Sequence, residues 1–231
     1  MIAIGYDIGS SFIKAALIDA ETGKSIGRVR VPETEIPITA IEIGWAEQDP
    51  GLWWEYLCDA TKSLIEKANI NADQISSIGI SYQMHGLVLV DQNLNPLRKS
   101  IIWCDSRATG YGEKAFQKLG KSYCKENLLN SPGNFTASKL AWVIENEPEI
   151  YNKTYKFMLP GDFLVAKLTG EFQTTITGLS EGIFWDFNND TPSDRLFDYY
   201  RIDKSLIPEV VPNFIEQARV SKKGSMDSGL L

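Results

Sequence analysis

The sequence predicts an α/β fold. Three observations carry that expectation: strand-like apolar runs dominate the chain before residue 108, an amphipathic helical stretch interrupts them after residue 49, and helical periodicity takes over beyond residue 108. With 231 residues the chain can bury a sizeable core, as one large domain or as one domain with an appended subdomain.

Residues 2–8 and 12–19 read as strands joined by Gly9-Ser10-Ser11, a tight hairpin-like turn. Residues 25–31 are a third strand, in which Ile26, Arg28 and Arg30 alternate with Gly27, Val29 and Val31. The connections are too short for crossovers, so this opening is antiparallel. Asp49 is a good N-cap and Pro50 suits a first helical position. Trp54, Leu57, Thr61, Leu64, Ile65 and Ala68 then recur on one helical face. The nearly all-apolar run 75–81 predicts a strand buried on both faces. Residues 87–91 form a strand that pairs with a neighbour, 93–96 carry turn chemistry, and 100–103 are another short strand. Helices are predicted over 111–119, ending at Gly120; over 140–147, stopping before Pro148; and over 161–169, ending at Gly170. Residues 171–220 are mixed. The stretch 127–134 marks either a long functional loop or a subdomain joint. The tail 221–231 lacks a cap signal and reads as a chain cut just before another element.

Thirty acids against 23 bases give a net charge of −7, and no run of Lys or Arg exceeds two. Nucleic acid and anionic membranes need a basic footprint and are disfavoured as partners. A local phosphate site built from backbone N–H groups stays open. Cys58, Cys104 and Cys124 are an odd, widely spaced set without metal-ligand spacing, which fits a reducing cytoplasm. The N-terminus has no basic region before Asp7 and does not read as a signal peptide. No apolar stretch approaches the roughly 18 residues needed to cross a bilayer.

Three clusters carry candidate chemistry. Asp7 ends a strand before Gly9, Ser10 and Ser11; the glycine lets backbone N–H groups approach a phosphate, and the serines add hydroxyl donors. A carboxylate beside a triphosphate needs a cation between them, so Asp7 points to Mg²⁺, held through water. The alternative is a plain hairpin. Lys14 either reaches a phosphate or is a solvated strand lysine. Gln83-Met84-His85-Gly86 holds the only histidine of the chain and closes one strand-like run before the next. Gln83 and His85 are suited to hydrogen-bond a polyol, or His85 is an ordinary loop histidine. In Trp103-Cys104-Asp105-Ser106-Arg107, Trp103 either lies against a sugar face with its indole N–H free for a hydroxyl or packs in the core. Asp105 and Arg107 either orient the pocket wall or pair with each other. Asn134 and Phe135 either close the pocket or belong to a turn.

Taken together, strand–Asp-x-Gly-Ser-Ser–strand, Trp45-Ala46-Glu47-Gln48-Asp49-Pro50, Gln83-Met84-His85-Gly86 and Trp103-x-Asp105-x-Arg107 resemble the FGGY family of carbohydrate kinases, and within it the xylulokinase type. Phe135-Thr136-Ala137-Ser138-Lys139-Leu140-Ala141-Trp142, Leu159-Pro160-Gly161-Asp162-Phe163 and Leu168-Thr169-Gly170-Glu171 extend the likeness over essentially all of 1–231. The resemblance implies an actin-like ATPase, ribonuclease-H-like lobe with a central mixed β-sheet flanked by helices. It also implies a second lobe across a cleft. Asp7 would sit near Mg²⁺, with Gly9, Ser10 and Ser11 facing the ATP phosphates. Met84 and His85 would contact a ketose with Trp103 on its flank. The implied reaction is ATP-dependent phosphorylation of D-xylulose at O5, giving D-xylulose 5-phosphate. Other members act on ribulose, fuculose, gluconate or glycerol, and a non-catalytic sugar- or nucleotide-binding module is the competing class. A homodimer through the full-length protein is compatible with the family. Two departures stand out. The family's general-base aspartate, in a Gly-Asp step, is expected beyond Leu231, so the chain alone is expected to be catalytically incomplete. Thr175 stands where many members have Asp.

Overall fold

The computed structural model describes residues 1–231 throughout. Its centre is a four-stranded sheet in the order β3-β2-β1-β5. β1 (Ile2–Ile8), β2 (Ile13–Asp19) and β3 (Ser25–Val31) form the antiparallel meander, with Ile8 opposite Ile13 and Asp7 opposite Lys14. β4 (Glu47–Gln48) leads into α1 (Pro50–Ala68), whose first turn is capped as expected: the Asp49 side chain accepts from the Gly51 N–H. The helix carries the chain back to β5 (Ile75–Tyr82), which joins β1 in parallel and makes the sheet mixed.

Beyond it lie β6 (Val88–Val90), β7 (Ser100–Ile101), α2 (Thr109–Leu119), α3 (Lys121–Asn127), α4 (Thr136–Asn146), α5 (Pro148–Lys153), β8 (Lys156–Met158) and α6 (Pro160–Thr169). β9 (Gln173–Thr175), α7 (Ile176–Glu181), β10 (Trp185–Asp186), β11 (Thr191–Pro192), α8 (Asp194–Tyr200), β12 (Glu209–Val211) and α9 (Lys222–Ser228) complete the chain. β4 pairs with β7, β6 with β8 and β10 with β11, all antiparallel, and β9 with β12 in parallel.

Two apolar cores result. One lies between the inner face of the sheet (Ile4, Tyr6, Ile8, Ile13, Ala15, Leu17) and the buried sides of α1 and α6. The other gathers α2, α4 and α8 around Phe157 and Phe184, whose rings stack at 4.5 Å. The segment 87–90 is the wall between them. Val88 and Val90 point into the first core and Leu87 and Leu89 into the second, and all four are fully buried. Burial on both faces, expected of 75–81, therefore belongs to this segment. β5 is an edge strand of the sheet. Ile78, Ile80 and Tyr82 pack inward, while Ser77, Gly79 and Ser81 face out and are exposed. Its apolar appearance came from one face only, with small residues filling the other.

Other corrections are local. The strand expected over 100–103 stops at Ile101, and Trp103 lies in the following turn. α4 begins at Thr136, earlier than the apolar spacing indicated. α3, α5, α7 and α8 are short helices that their own sequences signal weakly. The tail is itself a capped helix: the Ser221 side chain accepts from the Gly224 N–H, Gly229 closes α9 at φ 82°, and Leu230 is buried in the first core. No helix is long and apolar enough to cross a membrane.

Candidate functional site

The first and second clusters meet at the end of the sheet. The Gly9 N–H donates to the Phe12 carbonyl at 3.0 Å, and a side chain at Gly9 would come within 3.1 Å of that oxygen, so the turn is kept tight. The Gln83 N–H donates to the Ile8 carbonyl at 2.8 Å, which lays the tetrapeptide beside the hairpin. A buried amide then ties them together. Gln48 Nε2 donates to the Ser10 carbonyl at 2.6 Å, and Gln48 Oε1 accepts from Gln83 Nε2 and Trp53 Nε1, each at 3.2 Å. Gln48 Nε2 also donates to the Ile36 carbonyl at 3.4 Å, and at 1% exposure the amide depends on partners within the protein. Gln83 Oε1 is buried without a partner.

Asp7 and Lys14 are cross-strand neighbours, paired at 2.9 Å and each about half exposed. An ion pair so exposed is worth about 0–1 kcal/mol and opens readily. They share an open groove of about 600 Å³ on the outer sheet face with Gly5, Ala16, Arg28 and Arg30. Three cations against one carboxylate make this groove locally basic in an acidic chain. The donor set suits Mg²⁺ held by one carboxylate, water and phosphate oxygens. No cluster of three or more ligating side chains is present to favour a fully protein-bound metal.

His85 adopts φ 58°, the left-handed region that a non-glycine residue enters at a cost of about 1–2 kcal/mol. Both faces of its backbone are held by charged side chains. Its N–H donates to Glu181 Oε1, and Lys139 Nζ donates to its carbonyl at 2.5 Å. The Phe135 ring meets the imidazole edge-on at 4.2 Å. Gly86 follows because a Cβ there would lie 2.5 Å from Pro160 Cγ, at the start of α6. Met84 is exposed. Lys139 has no exposed surface, and burial pushes its ammonium down to about 8. Near Glu181, burial pushes the Asp162 carboxyl up to about 7, while its Oδ2 accepts from the Leu159 N–H at 3.3 Å.

The third cluster divides. Trp103 is half exposed and reaches the hairpin, its Nε1 directed at Ser10 Oγ at 3.4 Å; the indole N–H expected to be free has a partner within the protein. Asp105 has no exposed surface, which corrects its expected place as a group lining the pocket. Its carboxylate accepts from Arg107 Nη2 at 2.7 Å, from the Arg107 N–H at 2.9 Å and from the Ala46 N–H at 2.6 Å. Arg107 Nη1 lies 2.7 Å from Glu47 Oε1 without hydrogen-bond alignment, and its guanidinium sits 3.7 Å over Trp45. Asp105 and Arg107 do pair, and they brace the turn that carries Trp103. Asn134 donates to the Asp105 carbonyl, so the 127–134 stretch is tied to the same turn. Thr175 caps α7, its Oγ1 accepting from the Gly178 N–H at 3.1 Å. Asp is also an N-cap residue, so Thr here keeps the capping chemistry.

Lys139 and Glu181 are the residues that local sequence reasoning did not single out. A lysine within the apolar run 137–143 was a signal for the first. Nothing around Glu181 distinguishes it from a solvated helix-end acid.

The family model described as the FGGY family of carbohydrate kinases, N-terminal domain, matches residues 2–231, and the chain belongs to that family. It is 31% identical over 221 residues to a xylulose kinase of Staphylococcus xylosus, covering 95% of this chain and 44% of that protein. It is likewise 31% identical over 206 residues to a xylulose kinase of Escherichia coli, covering 89% of this chain and 41% of that protein. The structure superposes on the crystal structure of xylulose kinase from Rhodospirillum rubrum with a TM-score of 0.89 at 22% identity, covering 100% of this chain and 47% of that one, which shows the shared fold. The chain thus spans less than half the length of the relatives it matches.

Proposed function

We propose that residues 1–231 are the sugar- and phosphate-side lobe of an ATP-dependent ketopentose kinase that converts D-xylulose to D-xylulose 5-phosphate. The observation that carries this is the junction at Gln48, which joins the Ser10 backbone of the hairpin to Gln83 of the Gln-Met-His-Gly segment. Phosphoryl transfer depends on placing an acceptor hydroxyl and a polyphosphate in register, with little covalent help from protein. A single buried amide that spans the two sites supports that requirement.

In this account Met84, the His85 imidazole and the Trp103 face contact the ketose, and Gln83 Oε1, buried without a partner, is the acceptor a sugar hydroxyl would satisfy. Gly9, Ser10 and Ser11 face the ATP phosphates. Lys14, Arg28 and Arg30 add positive potential along the groove. Asp7 would hold Mg²⁺ there after parting from Lys14. The ion would neutralise phosphate charge there. Asp105 acts only through the turn it braces. The base for the attacking hydroxyl is assigned outside residues 1–231, in the remainder of the relatives' length, together with the adenosine-binding half. A cytoplasmic location fits three unpaired cysteines, and a homodimer would form through the full-length protein.

The test is calorimetric titration of the full-length gene product with D-xylulose, wild type against His85→Ala. Binding by the wild type and its loss in the variant are expected. Equal binding by both would overturn the site assignment, and tight binding of ribulose, fuculose, gluconate or glycerol with none of D-xylulose would overturn the substrate.

A further inference from the structure

His85 Nδ1 is buried without an aligned hydrogen-bond partner, and Glu181 Oε1 lies 3.5 Å from it. The same oxygen already accepts from the His85 backbone N–H. An ionised carboxylate only accepts hydrogen bonds, so an Nδ1 lone pair turned toward it would be repelled, and an Nδ1–H would be attracted. In water neutral imidazole prefers its proton on Nε2, so the placement runs against that preference. The surrounding groups keep the arrangement in place. Lys139 fixes the His85 carbonyl, Phe135 packs on the ring edge, and the left-handed φ of His85 is held by the two charged partners together. Tyr82 and Asp162 are the remaining titratable groups beside Glu181.

We infer that Glu181 is a positioning residue that holds the imidazole of His85 in its Nδ1–H form, leaving Nε2 as a bare acceptor. This rests on the proposed function for the identity of the donor, a ketose hydroxyl. It assigns to His85 the part of a hydrogen-bond acceptor rather than a donor or proton source. Glu181 touches no reacting atom. It acts through which nitrogen carries the proton, as carboxylate partners of metal-bound histidines do. A specificity consequence follows. A pocket built around a bare acceptor selects a sugar that presents a hydroxyl there and rejects the deoxy analogue, because Nε2 would then be desolvated without a partner.

The chain has one histidine, so its ring nitrogens can be read without assignment. The 231-residue chain is labelled with ¹⁵N-histidine and long-range ¹H–¹⁵N correlations are recorded about one pH unit above the ordinary histidine value of roughly 6.5, where Lys139 still carries its proton. The expected spectrum has Nδ1 in the protonated, pyrrole-like range and Nε2 in the unprotonated, pyridine-like range. In Glu181→Leu, which removes the acceptor, the proton should return to Nε2 and the two nitrogens should exchange ranges. A wild-type spectrum with Nε2 protonated would overturn the inference, whatever the variant does. So would a spectrum of folded Glu181→Leu unchanged from the wild type, and Glu181→Ala is the second variant should Glu181→Leu not fold. Addition of D-xylulose tests the proposed function separately. Movement of Nε2 alone supports it, and a spectrum unmoved at high ketose counts against that reading while the tautomer result stands. Movement of Nε2 in a protein whose Nε2 is protonated would retain the site and overturn the role of Glu181.

Discussion

Replacement of Lys139 by methionine isolates the cost of the charge beneath the His85 loop. The ammonium is fully buried, and its pKa falls from an ordinary 10.5 to about 8. At about 1.36 kcal/mol per pH unit this gap corresponds to roughly 3 kcal/mol. The sign follows from linkage. Between the folded value near 8 and the unfolded value near 10.5, the unfolded chain binds the proton and the folded one has released it, so stability rises with pH across that window. The penalty is fully present below about 8 and gone above 10.5. Methionine has no proton to release and a similar length. The stability of the wild type minus that of Lys139→Met should therefore increase by about 3 kcal/mol as pH is raised through the window. Other groups that titrate at alkaline pH, such as Cys58 at about 11, are common to both proteins and cancel in the difference. Urea unfolding of both proteins at a series of pH values measures it. Two curves that run parallel from neutral pH to the alkaline end would refute the burial of a charged lysine at this position.

Three further outcomes are expected. Asp105→Asn leaves the Arg107 guanidinium buried with only Glu47 for charge compensation, and should destabilise by about 3–5 kcal/mol, read by the same unfolding assay. Gln48→Met strands the Ser10 carbonyl, Trp53 Nε1 and Gln83 Nε2 in a dry site, with a loss of about 3 kcal/mol; in the full-length protein, turnover should fall more than ketose binding does, because the two sites lose their common register. Asp162 carries a carboxyl raised by burial to about 7 from an ordinary 3.8, so its contribution is fully present below about 3.8 and is lost as pH rises through 7. Asp162→Asn should flatten the decline in stability over that interval, and an unchanged pH profile would count against the buried carboxyl.

Much of the framework was legible because it is written locally. Apolar alternation gave the strands of the meander. Asp49 and Pro50 gave the start of α1, and Gly120 and Gly170 gave helix ends that the structure keeps. What the sequence obscured involves two environments at one segment. Residues 87–90 and 75–82 both look apolar, yet the first separates two cores and the second lies on a sheet edge. Only the alternation of isoleucine with serine and glycine in the latter betrays the difference. The site shows the same division. Asp7, Gly9, Gln83, His85 and Trp103 stand in short motifs whose residue types suggest their chemistry. Lys139 and Glu181 reach His85 from positions far along the chain, and only packing brings them together. Asp105 failed as a pocket residue for a related reason. A carboxylate two residues before an arginine reads equally as a ligand contact or as a buried pair, and burial alone decides.

The most direct test of the central claim is ADP formation by the full-length gene product with ATP, Mg²⁺ and D-xylulose, with the sugar product identified by mass and by the site of phosphorylation. D-xylulose-dependent ADP release with the phosphate on O5 is the predicted result. No ketose-dependent ADP release from a folded, full-length protein would contradict it.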